Sequence, residues 1–127
     1  MAFDWNNFLV LAEELGARAD DASRRTAISR AYYFAFNLAF ARAESTAGAR
    51  PVGEASHYWC WNKYAATPDW DCKRLANLGR RMKYWRVRAD YKSGEIPRLA
   101  DEVQRILVEA RQFPADLAAL NPRFPLP

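Results

Sequence analysis

Ile28-Ser29-Arg30-Ala31-Tyr32-Tyr33-Phe34-Ala35-Phe36-Asn37-Leu38-Ala39-Phe40-Ala41 is the stretch that decides the fold. Ile28, Ala31, Ala35, Leu38 and Ala39 recur at helical spacing and trace one apolar face. Tyr32, Phe36 and Phe40 widen that face until little polar surface remains. A helix that is apolar nearly all round belongs at the centre of a bundle. The run falls short of the ~20 apolar residues that cross a bilayer, and Asn37 interrupts it. Tyr32 and Tyr33 are adjacent, so they leave the helix roughly 100° apart, given ~3.6 residues per turn. One can join the core while the other reaches a cleft or a dimer interface. Asn37 sits among apolar neighbours and is expected to be buried and hydrogen-bonded.

Working outward, proline and glycine divide the chain into five helical segments. The central one is predicted from about Asp21 to Glu44, with Asp20, Asp21 and Ser23 supplying capping groups and negative charge at its positive end. Before it, Trp5, Phe8, Ala12 and Leu15 mark a helix over about Asp4–Leu15, and Gly16 follows where a C-terminal glycine belongs. After a loop holding Gly48, Pro51 and Gly53 comes a short aromatic helix, about Ser56–Ala65. Its Tyr58, Trp59, Cys60 and Trp61 cannot all face one core, so at least one tryptophan is expected to be exposed to a partner. Thr67-Pro68-Asp69 reads as a cap, a first-turn proline and a first-turn acid. The fourth helix, about Asp69–Tyr91, carries the seam Leu75, Leu78, Met82, Trp85 and Ala89. The fifth starts at Pro97 and runs to about Phe113 through Leu99, Val103, Ile106 and Ala110. Residues 114–127 hold four prolines and form a C-terminal tail, in which Leu117 and Leu120 can pack as one more turn. The reading is all-α: one domain over residues 1–113, an up-down bundle of four to five helices, followed by the tail.

The 127 residues carry a formal net charge of +4, and arginine supplies 15 of the 19 basic side chains. Arginine favours planar, bidentate contacts to phosphate or carboxylate. The basic residues gather on the fourth helix, where Arg80, Arg81, Lys83, Arg86 and Arg88 are interleaved with Tyr84, Trp85 and Tyr91. Arginines can neutralise phosphates and aromatic rings can stack on bases, so this helix is a candidate nucleic-acid face. Its alternative is a solvated helix surface whose cations suit the helix C-terminus. Cys60 and Cys72 are not in a Cys-x-x-Cys pair, and reduced buried thiols are expected. One histidine in the chain makes a zinc site improbable. No Gly-rich phosphate loop and no hydrolase triad can be assembled, so no cofactor is expected. The N-terminal residues lack a signal-type pattern, and a cytoplasmic protein is expected.

Two stretches carry a family resemblance. Ser29-Arg30-Ala31-Tyr32-Tyr33-Phe34-Ala35-Phe36-Asn37 resembles the Ser-Arg-Ala-Tyr-Tyr-Ala-x-Phe-His stretch on the long second helix of small bacterial stand-alone HEPN proteins. Arg86-Val87-Arg88-Ala89-Asp90-Tyr91 is similar to the Arg-x-x-Ala-Asp-Tyr stretch late in the same family. The order of segments agrees, with a lone histidine, His57, soon after the middle loop, and the likeness covers about residues 23–113. It implies a homodimer that associates with RNA or nucleotide. It also implies a place in a toxin–antitoxin or defence system, with a nucleotidyltransferase-type protein as partner. Active relatives cut RNA without metal, using an arginine followed by a histidine after four to six residues. Here the four-residue gap from Arg86 ends on Tyr91, and the histidine of the helix-two motif is Asn37. The candidate catalytic residues are therefore His57, Arg86 and Tyr91, with weak or absent nuclease activity expected. Arg50 and His57 have the spacing, but Pro51 and Gly53 separate them. Arg30, Tyr32, Tyr33, Asn37 and Asp90 are motif residues with structural roles. Arg86 and Asp90, four apart, are expected to pair on one helix face. A non-catalytic scaffold subunit and a metal-independent ribonuclease remain the two alternatives.

Overall fold

The computed structural model describes residues 2–127. Five helices follow in order: α1 (Asn6–Gly16), α2 (Asp21–Ala47), α3 (Ser56–Ala66), α4 (Trp70–Tyr91) and α5 (Leu99–Ala118), with no strand among the described residues. The chain is an all-α helical bundle, and α2 touches each of the other four helices. Its central position follows from its composition. Ala27, Ile28, Ala31, Tyr32, Phe34, Ala35 and Ala39 are all fully buried, and the frequent alanines let neighbouring helices approach its backbone. Asp20 caps α2, accepting from the Ser23 amide at 2.9 Å, which satisfies one of the helix's free donors.

Several boundaries differ from the sequence reading, each for a packing reason. Gly16 lies inside α1, not beyond its end. A Cβ there would meet Leu107 Cδ1 at 2.9 Å and Val103 Cγ1 at 3.0 Å, so the glycine serves the close approach of α1 to α5. Asp69, not Thr67, caps α4, accepting from the Cys72 amide. Thr67 instead closes α3, its hydroxyl donating to the Lys63 carbonyl at 3.0 Å. The α4 seam uses Cys72, Leu75, Ala76, Gly79, Met82, Arg86 and Ala89. Leu78 and Trp85, expected in it, are only half-buried, and an arginine takes a core position.

Phe113 is not a helix end: α5 continues through Pro114 to Ala118. Proline inside a helix forfeits a hydrogen bond at a cost of about 3 kcal/mol. Here the buried stripe Ala110, Phe113, Leu117 continues straight across it, and the packing of Leu117 offsets that cost. Leu117 and Leu120 are buried, as the apolar spacing predicts. The tail beyond is irregular and is held by Arg42 of α2. The Arg42 guanidinium donates to the carbonyls of Leu117, Leu120, Asn121 and Phe124. Thr46 donates to Pro125 O, and the Leu126 amide donates to the Thr67 hydroxyl.

The expectation of an exposed tryptophan on α3 is also corrected. Trp59 and Trp61 are both buried, and the exposed ring is Tyr58. Trp61 fits because α4 has no side chain where it lies. A Cβ on Gly79 would stand 2.4 to 2.5 Å from three atoms of the indole. Gly79→Ala therefore pits a helix-propensity gain of about 1 kcal/mol against overlap with a rigid, enclosed ring. Overpacking of that kind costs about 1–3 kcal/mol, and the overlap should win. Gly79→Ala should lower the midpoint of urea or thermal unfolding. Gly94→Ala, with nothing within 4 Å of the added carbon, should leave it unchanged.

Candidate functional site

The two family-like stretches meet where α2 crosses α4. Arg86 is 7 % exposed, and its guanidinium carbon lies among three tyrosine rings. It is 5.7 Å from the ring centre of Tyr32, 5.2 Å from Tyr33 and 5.7 Å from Tyr91. Ring faces attract a cation by about 0.5–2 kcal/mol each. Its carboxylate partner is Asp90, one helical turn on, at 3.9 Å, so the expected pair forms, loosely. Asp90 is tied across to α2 by Ser29, whose hydroxyl donates to Oδ2 at 3.0 Å. Arg86 Nε is buried without a hydrogen-bond partner. A buried guanidinium normally has its donors satisfied; this one relies on ring faces and one distant carboxylate.

Arg25 sets the end of α4 that carries Asp90 and Tyr91. Its Nη1 donates to the carbonyls of Arg88, Ala89 and Lys92, and its Nη2 to Gly94. A cation at a helix C-terminus satisfies orphan carbonyls and suits the helix dipole. Tyr91 is 71 % exposed, so it is the solvent-facing ring of the three around Arg86.

His57 enters from the first turn of α3. Its Nδ1 lies 2.6 Å from the Tyr32 hydroxyl, and Trp61 Nε1 lies 3.1 Å from the same oxygen. The indole can only donate. Tyr32 therefore accepts from Trp61, and its hydroxyl forms a second contact with His57 Nδ1 in which the histidine tautomer sets donor and acceptor. The imidazole ring is stacked on Phe36 with centroids 4.0 Å apart. Burial, then the positive charges of Lys83 and Arg86, push its pKa down to about 4. Burial pushes the Tyr32 hydroxyl well above the ordinary tyrosine range. Tyr32 is the core member of the tyrosine pair and Tyr33 the half-buried one.

Tyr33 continues into a groove of about 350 Å³ lined by Trp5, Phe8, Arg30, Phe36 and Asn37 as well. The Arg30 guanidinium carbon lies 4.7 Å from the Phe8 ring centre and 5.2 Å from that of Tyr33. Asn37 is hydrogen-bonded, its Nδ2 donating to Tyr33 O at 2.7 Å. It is half-buried at the groove wall, not enclosed as expected.

The basic residues of α4 do not form one face. Arg86 is in the core, and Lys83 is half-buried. Arg81 turns to α5 and pairs with Glu109. Arg88 lies over Trp85 at 5.1 Å, and Arg80 is exposed. Arg50 donates to the carbonyl of Glu54 in its own loop. Sequence reasoning missed Arg25, Ser29 and Trp61 as supports, and the part of α1 in the groove. The spacing of Trp5 and Phe8 marked them as apolar face but not as a wall beside Arg30.

Among the described residues no cluster of three or more His, Cys, Asp or Glu side chains could hold a metal ion. Cys60 and Cys72 are free and buried, and no helix is long and apolar enough to cross a membrane. No protein-family model matches the chain, and the search of curated proteins and that of solved structures found no match.

The depressed His57 pKa has a consequence for stability. The unfolded chain takes up this proton near pH 6.5 and the folded protein only near pH 4. Between those values the unfolded state binds more protons, so stability is complete above about pH 6.5 and falls as pH drops toward 4. Unfolding midpoints at pH 7 and pH 4.5 should differ more for the native protein than for His57→Gln. Equal acid sensitivity of the two would mean that His57 is not held neutral.

Proposed function

We propose that this chain is a HEPN-like module that binds RNA or nucleotide at the α2–α4 crossing and its groove, with weak or no nuclease activity. The observation that carries the reading is Arg86. It is a buried guanidinium with an unsatisfied Nε, stacked among tyrosines, beside an aromatic groove that holds a second arginine. Cations interleaved with aromatic faces suit phosphate and base together. The nucleotidyltransferase-type partner in a toxin–antitoxin or defence setting rests on the family resemblance alone, the homodimer on that resemblance and the aromatic residues of α2 and α3, and the cytoplasmic location on the N-terminal sequence.

Weak catalysis follows from the site's proton chemistry. Cleavage without metal needs groups that exchange protons near neutral pH. His57 has Nδ1 engaged by Tyr32, and its low pKa makes it a poor base. Arginine stabilises developing negative charge but does not give up a proton. A protein-interaction role is the second reading. It is favoured by a separate groove of about 480 Å³ between α4 and α5, whose lining includes Leu78, the exposed Val108, Arg81 and Asp116.

Fluorescence anisotropy with labelled single-stranded RNA tests both readings. Affinity should fall steeply with salt. Arg30→Ala and Arg86→Lys should each weaken it by about tenfold, the equivalent of ~1.4 kcal/mol. Loss only in a combined Arg80→Ala, Arg81→Ala, Arg88→Ala variant would move binding to the outer surface of α4. No binding by the native protein would favour the interaction subunit. The same samples in EDTA should leave the RNA intact. Robust cleavage lost in His57→Ala and Arg86→Ala would make the protein a ribonuclease.

A further inference from the structure

We infer that the α2–α4 crossing is an oxyanion site filled by the protein's own carboxylate: Asp90 occupies the place that a phosphate group of the ligand takes between Arg30 and Arg86, and the ligand binds by displacing it. The inference rests on the RNA- or nucleotide-binding reading and adds to it an internal competitor.

Two side chains meet at Asp90 Oδ2, and a third reaches it through one of them. Ser29 donates its hydroxyl to Oδ2 at 3.0 Å and accepts from Arg30 Nη2 at 3.4 Å. Arg86 Nη1 lies 3.9 Å from the same Oδ2. Both guanidiniums also lie over Tyr33, each 5.2 Å from its ring centre. The two cations thus share one carboxylate, and among the described residues neither has another. One positive charge is left uncompensated, where Arg86 is buried and its Nε has no partner.

Asp90 fills this place poorly. A charge-assisted N–H···O bond is about 2.7–2.9 Å long, so at 3.9 Å the carboxylate is out of hydrogen-bonding reach of Arg86. It stands in the last turn of α4, at the negative end of the helix dipole, where a carboxylate is disfavoured. A phosphate presents more acceptor oxygens, and arginine binds them bidentately. Free of any tether to α4, it can close on Arg86, Arg30 and the Ser29 hydroxyl together. The way in is open, because the Asp90 side chain is 28 % exposed and Arg30 lines the adjoining groove of about 350 Å³. Its guanidinium face is covered by Phe8 and Tyr33, which leaves the edge for the anion.

A competitor and a strut predict opposite signs. Removing a carboxylate that merely orients Arg86 weakens binding, whereas removing a competitor tightens it. Asp90→Asn keeps the shape and an acceptor for Ser29; Asp90→Ala keeps neither, so the result does not hang on one variant folding. Each, with its helix content checked by circular dichroism, should bind labelled single-stranded RNA about tenfold more tightly than the native protein at equal ionic strength, the equivalent of ~1.4 kcal/mol. Asp71→Asn removes the same charge at the opposite end of α4 and should change affinity by less than about twofold, because distant charges are screened. Adding Arg86→Lys to Asp90→Asn should erase the gain, since the two act at one site. Exchanging chloride for inorganic phosphate at constant ionic strength separates the sources. Displacement of RNA from Asp90→Asn there means a free phosphate suffices, and no displacement means that a nucleotide or strand must carry it. Unchanged or weaker binding by both Asp90 variants, or equal tightening in Asp71→Asn, would overturn the competitor role while leaving RNA binding standing. Binding of RNA by none of these proteins would overturn the nucleic-acid reading and this inference with it.

Discussion

The guanidinium of Arg86 is taken out of water at the crossing of α2 and α4, and much of the surrounding arrangement exists to hold it there. Its helix supplies Asp90 and Tyr91, α2 supplies Tyr32 and Tyr33, and Ser29 secures the carboxylate. Removing an ion from water costs several kcal/mol, and full compensation requires close, complete hydrogen bonding. Arg86 has one carboxylate at 3.9 Å and an unsatisfied Nε. A hydrophobic side chain at a seam position between Met82 and Ala89 would pack without that deficit. On the proposed reading the arginine is kept for what it binds and not for what it stabilises.

Two other arginines show what the same side chain does when its role is structural. Arg25 and Arg42, both on α2, each donate to four backbone carbonyls, one set at the end of α4 and the other in the C-terminal tail. Both act where a helix ends and leaves carbonyls without partners. A large part of the chain's arginine excess therefore closes helix ends and the tail, and the positive formal charge overstates the surface free for a polyanion. Arg81 points the same way, since Glu109 neutralises it.

Periodicity made the bundle legible. The central position of α2, the α5 stripe, the Asp20 cap, the split between Tyr32 and Tyr33 and the Arg86–Asp90 pair all follow from spacing along one helix. What the sequence hid depends on partners far apart in the chain. Trp61 is buried because Gly79 on another helix leaves room for it, which no reading of α3 alone could reveal. α5 passes through Pro114 because its apolar stripe has a surface to pack on. The α4 cations looked like one face when counted along the chain, yet Arg86 is buried against the tyrosines of α2 and Arg81 turns to Glu109 of α5. Asn37 looked enclosed because its neighbours are apolar; the groove that opens beside it is made by Trp5 and Phe8 of the α1 end.

The central claim is that Arg86 is kept for binding at the expense of stability, and Arg86→Met tests it most directly. Methionine fills a similar volume with a flexible apolar chain, and replacing a poorly satisfied buried ion by an apolar side chain is often neutral or stabilising by about 1–4 kcal/mol. Denaturant unfolding and RNA affinity should be measured on the same preparation. The account predicts a variant at least as stable as the native protein that binds RNA at least tenfold more weakly. A variant several kcal/mol less stable, with RNA affinity unchanged, would show that Arg86 is a structural strut and would contradict it.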